Sequence, residues 1–248
     1  WYLNGGFTGI GSTYTNVAPV NGDQIYVVMT SYAVCPTGNP AASNAIPLKV
    51  YAVPGISAHP ADQTIGEGGS TSFSVTASGQ GISYQWQVST NGGGSYSNIT
   101  APGVDPVYSG WNTSTLTLTT VDVLNNGYLY RCVVSGTCPP SATSNAALLT
   151  VNNAPAITLQ PVNDTACSGS NASFTISASG TITGYTWQVS TNGGTTYTDI
   201  SAPGSNPVYS GWDTPVLSLT GVVPSNNNNL YRCIVYGPVP PDAVSNPA

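Results

Sequence analysis

Apolar and polar side chains alternate along much of this chain with a period of two. Phe73 and Val75 share a face of one run, and Tyr84, Trp86 and Val88 share a face of the next. Leu116 with Leu118, Tyr130 with Cys132, and Leu149 with Val151 continue the pattern. A period of two puts successive side chains on opposite faces of a β-strand, so each run predicts a strand with one face turned to a core. Turn formers separate the runs roughly every 8–12 residues, and Asn91-Gly92 is a two-residue hairpin signal. No stretch carries a helical period. The pattern predicts an all-β chain of β-sandwiches with no α-helix of any length.

The pattern then repeats. Trp187 follows Trp86 by 187 − 86 = 101 residues, and Cys233 follows Cys132 by 233 − 132 = 101. Pro106-Val107-Tyr108-Ser109-Gly110-Trp111 returns as Pro207-Val208-Tyr209-Ser210-Gly211-Trp212. A register held over this length predicts tandem domains with separate cores. Residues 53–152 read as a complete domain and 153–248 as one lacking its last strand. Residues 1–52 read as the C-terminal part of another, its first strands missing. Val75, Trp86, Tyr130 and Cys132 are the expected core of one copy, and Ile176, Trp187, Tyr231 and Cys233 that of the other. In the first segment, strands are expected at Trp1 to Leu3, Ser12 to Val17, Asn21 to Val28 and Ser43 to Val50. Asn152-Asn153-Ala154-Pro155 is a linker too short for free tumbling. The chain opens on Trp1 within a strand pattern, as a window cut from a longer secreted polypeptide would.

Composition narrows the function classes. Only Lys49, Arg131 and Arg232 oppose nine acids, giving a formal charge of −6, and 5% of residues are charged. Nucleic acid and anionic membranes need a basic footprint that is missing here. No apolar run approaches the roughly 18 residues of a membrane span. A neutral surface rich in hydroxyls and amides suits an extracellular protein.

Three features match an immunoglobulin-like sandwich: a Trp on the third strand (Trp86, Trp187), a Tyr two residues before a Cys on the sixth (Tyr130, Tyr231), and about 100 residues per unit. Val75 and Ile176 stand where that fold would place the first half of its disulfide, so Cys132 and Cys233 are expected to be buried free thiols. The wording of the repeats is more specific. Tyr84 to Gly93, Val107 to Gly110, Tyr130 to Cys138 and Ser144 to Val151 resemble the immunoglobulin-like repeats of giant surface adhesins and gliding-motility proteins of Bacteroidetes, exported by the type IX system. That resemblance implies a secreted cell-surface stalk or filament with adhesion as its role, and it brings no catalytic residues.

Three further cysteines fall at turns. Cys35 and Cys138 follow a sixth strand, and Cys167 lies where a first strand passes into a second. In a sandwich these two kinds of turn lie at opposite ends, so in an end-to-end rod the turn at Gly66 would face the turn at Val239. Cys35, Cys138 and Cys167 are then halves of inter-domain disulfides, which require Cα atoms within about 7 Å. Unpaired turn thiols are the alternative.

Other chemistry is thin. His59 lacks a partner at a usable spacing for catalysis. Asp122 with Asn125 and Asn126 offers some oxygens for Ca²⁺, although loop Asp and Asn serve turns as readily. A paired-carboxylate hydrolase finds no Asp pair common to both copies. Trp111 and Trp212 could stack on a sugar or close an edge of each sandwich. Arg131 and Arg232 alternate with inward residues and are expected to face out near Gln85, Gln87 and Gln188, with solvated heads. Asp164-Thr165-Ala166 resembles an O-glycosylation acceptor of the same bacterial group, making Thr165 its candidate. Asn98, Asn112, Asn163 and Asn171 match the N-glycosylation pattern, which a bacterial origin would void.

The expectation is a non-catalytic, cofactor-free array of immunoglobulin-like domains forming an extended, semi-rigid rod whose partners are neighbouring domains or chains. The alternatives are carbohydrate-binding modules that use Trp111 and Trp212 on a polysaccharide, and a self-assembling fibre completed by strands from neighbouring chains.

Overall fold

The computed structural model describes residues 1–32 and 40–248. Among them there is no α-helix: the chain is built of strands, with two single 3-10 turns at Val123–Asn125 and Pro224–Asn226. It is a tandem of immunoglobulin-like β-sandwiches.

In the unit between residues 55 and 152, Ser83–Ser89 pairs antiparallel along its whole length with Leu129–Ser135, which sets Trp86 opposite Cys132. Their sheet extends to Ser97–Asn98 on one side, and through Ala147–Asn152 to Gln63–Gly66 on the other. The facing sheet holds Thr115–Thr119 between Val107–Ser109 and Thr71–Ser74. The apolar faces meet between the sheets. Phe73, Trp86, Leu116, Leu118, Tyr130, Cys132 and Leu149 are each no more than 1% exposed. Burying a large apolar side chain of this kind stabilises by about 1.5–3 kcal/mol. The first strand, Gly55–Ala58, pairs antiparallel with Thr76–Ser78, while the second, Gln63–Gly66, lies parallel to the last, Gln63 beside Leu149 and Gly66 beside Asn152.

Residues 156–248 repeat this plan. Gly184–Ser190 pairs with Leu230–Tyr236, placing Trp187 opposite Cys233, and Val216–Thr220 lies between Val208–Ser210 and Ala172–Thr175. One edge differs. Ala248, at the position of Ala147 (248 − 101), exchanges both backbone hydrogen bonds with Tyr231, and residues 164–167 form no strand. The space that Leu149 and Val151 fill in the preceding unit is here a groove of about 360 Å³ lined by Phe174, Leu219, Val222 and Tyr231. The buried Tyr231 hydroxyl has no hydrogen-bond partner.

The first segment forms a small sheet of Gly6–Phe7, Tyr2–Leu3, Gln24–Tyr26 and Ile46–Pro47. The strand expected at Ser12 to Val17 does not form. Its alternation pits Tyr14 and Val17 against hydroxyls, and Val17 is exposed, so no apolar face rewards pairing. The segment instead wraps the start of the chain. Trp1 donates its indole N–H to the Gly11 carbonyl and stacks on Tyr14, while Asn16 donates to Asp23. Asp23 is buried and also accepts from Asn4 and the Val20 amide. These hydrogen bonds, the Val20 amide foremost, hold its carboxyl below the usual carboxylate range.

Candidate functional site

Trp86 is fixed at both ends of its own residue by one turn. Its backbone N–H donates to the Trp111 carbonyl and its indole N–H to the Thr113 carbonyl, both at 2.9 Å. The turn that aims these carbonyls depends on Gly110, at φ +72°, where a Cβ would run into the Thr115 carbonyl oxygen. Trp187 makes the same two bonds to Trp212 and Thr214, and Gly211 at φ +73° would meet Val216 in the same way. The repeated Ser-Gly-Trp wording therefore encodes a brace between the two sheets. The Trp111 and Trp212 rings are half-buried and pack against the two cores.

Arg131 and Arg232 lie beside Gln87 and Gln188, where they were expected, and each head also rests on an aromatic ring. The Arg131 guanidinium lies 3.7 Å from the centre of the Tyr96 ring and donates from Nε to Gln87 at 2.8 Å. Arg232 lies over Tyr197 at 3.8 Å and donates to Gln188 at 2.7 Å. The arrangement pairs charge with an aromatic face and staples the hairpin tip to the central strands. Tyr96 and Tyr197 recur at the 101-residue spacing, and that was the signal available in the sequence.

Tyr130 stacks on Phe73 with ring centroids 4.8 Å apart, and its hydroxyl meets that of Tyr108 at 3.3 Å. Val75 and Ile176 are buried beside the same cores, so no second cysteine faces Cys132 or Cys233 there. Both thiols are free and fully buried. Burial pushes the Cys132 thiol up to about 11 and the Cys233 thiol up to about 12. A thiol kept protonated in this way is neither a nucleophile nor a metal ligand at neutral pH. Ser144 supports Cys132, its hydroxyl accepting the Cys132 amide while its own amide donates to the Cys132 carbonyl. Ser245 does the same for Cys233.

The remaining candidates serve the scaffold. Nδ1 of His59 accepts the Asn145 amide at 3.1 Å, and Gln160, 101 residues on, accepts the Asn246 amide at 2.8 Å. Two different side chains thus perform one edge-closing task. Asp122 caps the Val123–Asn125 turn, Asn125 accepts the Asp122 amide, and Asn126 accepts the Val151 amide. Their oxygens are committed to backbone. Among the described residues no three His, Cys, Asp or Glu side chains gather as a metal site would require. Thr165 is exposed beside Asp164, whose carboxylate accepts the Thr165 and Ser173 amides.

The junction between the two repeated units is the most constructed feature. Asn153 exchanges hydrogen bonds with Thr181, its carbonyl accepting the Thr181 amide at 3.1 Å and its amide donating to the Thr181 hydroxyl at 3.3 Å. Pro155 is buried, and its ring lies against Gly237, where a Cβ would come within 2.7 Å of Cδ. On the other side of the junction Gly66 touches Val239: a Cβ at Gly66 would lie 3.1 Å from Val239 Cγ2. The turn after Gln63–Gly66 of one unit therefore rests on the turn after Leu230–Tyr236 of the next. Cys138 is half-buried and Cys167 exposed, while Cys35 lies outside the described residues.

A family model described as a domain of unknown function (DUF8696) matches residues 56–153. No curated protein matches the chain in sequence. Among solved structures, an I-band fragment of titin is similar at 20% identity and a TM-score of 0.57, over 78% of this chain and 64% of the fragment. Immunoglobulin domains 1–5 of Sidekick-1 match at 17% identity and a TM-score of 0.55, over 90% of this chain and 46% of that one. The first two immunoglobulin domains of DIP-gamma match at 14% identity and a TM-score of 0.52, over 77% of this chain and 94% of theirs. At such identities the likeness is one of fold, and the fold it shows is a tandem of immunoglobulin-like domains.

Proposed function

We propose that this chain is a structural, non-catalytic stretch of a secreted surface protein, in which immunoglobulin-like units stack into a semi-rigid stalk or filament that carries adhesion. The observation behind this reading is the junction, where Gly66 of one unit rests on Val239 of the next and the linker residue Asn153 is hydrogen-bonded to Thr181 of the following unit. The repeat wording, similar to that of type IX-exported surface proteins of Bacteroidetes, supports an extracellular location. So does the scarcity of charge, which leaves the stack insensitive to salt. No cofactor is called for. The partners are neighbouring units and chains, with environmental polysaccharide as a target for the whole protein. Direct sugar contact by Trp111 and Trp212 has less support, because both rings pack against the cores.

Small-angle scattering tests the stack. Strands of seven residues at about 3.4 Å each, with turns at both ends, give units of roughly 35–40 Å, so the two repeated units placed end to end reach roughly 75 Å before the first segment is counted. A maximum dimension near roughly 50 Å, as for units folded side by side, would overturn it.

A further inference from the structure

The two positions that meet across the junction are Gly66 and Val239. Moved by one repeat, they are Cys167 (66 + 101) and Cys138 (239 − 101). The contact itself has disulfide dimensions: a Cβ at Gly66 would stand 3.9 Å from the Val239 Cβ. Disulfides hold their Cβ atoms about 3.5–4.5 Å apart. The chain thus carries cysteine at both kinds of junction position, and the junction seen between its own units is the one at which both are replaced. Elsewhere in the described residues the thiols are Cys132 and Cys233, which are sealed in the cores.

We propose that Cys167 and Cys138 are docking cysteines, each forming a disulfide with a further repeat unit stacked on its end of the array. Cys167, exposed on its turn, takes a cysteine at the Cys138 position of the unit beyond it. Cys138 takes one at the Cys167 position of the unit before it. The oxidant is a small disulfide such as oxidised glutathione. One protein thiolate attacks it, releasing one glutathione thiol and leaving a mixed disulfide. The second protein thiolate then displaces the other, so one S–S bond forms in the protein and two glutathione thiols are produced. The device converts a contact between turns into a covalent tie at selected junctions, while the Gly66–Val239 junction is held by packing alone.

The proposal rests on end-to-end stacking, which scattering on the unmodified chain reports separately from the cross-link. Two proteins test it in oxidised glutathione. In the first, Gly66→Cys and Val239→Cys are combined in the full chain. Peptide mapping is expected to find the two positions linked, with maleimide labelling of both reduced at least tenfold and restored by reductant. In the second, residues 148–248 are appended once more after Ala248, which continues the 101-residue register, and the appended counterpart of Val239 is changed to cysteine. Cys167 is expected to link to that residue and to lose labelling at least tenfold, while the same protein retaining valine there labels fully. Failure of the first protein to close would show that the turns do not meet in solution. Closure of the first with Cys167 still reactive in a second protein that melts cooperatively would show that Cys167 is no docking residue. Either result overturns the proposal.

Discussion

Replacing Gly110 with alanine should damage its unit far more than the same change at Gly92, although both glycines sit in the left-handed region, at φ +72° and +67°. That conformation costs a residue bearing a Cβ about 1–2 kcal/mol. At Gly92 nothing lies within 4 Å of the added atom, so the conformational cost is the whole expected effect. At Gly110 the Cβ meets the Thr115 carbonyl oxygen, with the Thr113 hydroxyl oxygen 3.2 Å away. Relief requires opening the turn that presents the Trp111 and Thr113 carbonyls to Trp86. Each of those hydrogen bonds contributes about 1 kcal/mol, and more if a buried N–H is left unpaired. The sum for Gly110→Ala is about 3–5 kcal/mol, against about 1–2 for Gly92→Ala. Urea unfolding followed by tryptophan emission is the assay. With slopes of about 1–3 kcal/mol per molar urea, the midpoint of the affected transition should fall by at least about 1 M for Gly110→Ala and clearly less for Gly92→Ala. Gly211→Ala should reproduce the larger effect in the following unit. Equal losses at Gly110 and Gly92 would refute the brace.

Other expectations are simpler to check. A double-mutant cycle of Arg131→Met and Tyr96→Leu should give a coupling of about 0.5–1 kcal/mol that persists in high salt, and zero coupling would remove the charge–ring contact from the account. The core thiols predict an alkaline limit. Cys132 and Cys233 titrate near their ordinary value of 9.0 when unfolded and at about 11 and about 12 when folded, so above pH 9 the unfolded chain gives up protons that the folded chain keeps. Stability should be level below pH 9 and fall as pH rises through those values. Cys132→Val with Cys233→Val should lessen the fall just above pH 9, before Tyr108, Tyr130 and Tyr209, whose hydroxyls burial also pushes up, add their own share, and an unchanged slope there would refute it. Asp23 works in the opposite direction. Its lowered pKa supports the first segment above the ordinary value of 3.8, and the support is lost as pH falls through the folded value. The protection of the Val20 amide against hydrogen exchange, relative to the intrinsic rate at the same pH, should therefore fall in acid, and it should already be reduced at neutral pH in Asp23→Asn.

The alternation around Trp86 and Leu116 made the strands and cores readable, because a buried face must repeat every second residue. The 101-residue register made the Gly66–Val239 contact readable from topology alone. What the pattern missed were contacts between residues distant in sequence but alike in polarity. The Arg131–Tyr96 contact and the His59–Asn145 bond involve side chains that look like ordinary surface groups until the strands are placed. Ser12 to Val17 shows the opposite error: alternation without an apolar face to bury does not make a strand. The Ser-Gly-Trp motif was visible as a repeat, but its work is done by carbonyl groups, which side-chain chemistry does not disclose.

The parallel pairing of Gln63–Gly66 with Leu149–Asn152 has a mechanical consequence. When the chain is drawn out from both ends, the Gln63–Gly66 strand is pulled toward its N-terminus and the last strand toward its C-terminus. Two parallel neighbours then slide past one another, so the hydrogen bonds between them are loaded together instead of being peeled one at a time. The unit gives way only when the whole ladder fails, and the Trp86 core stays closed until it does.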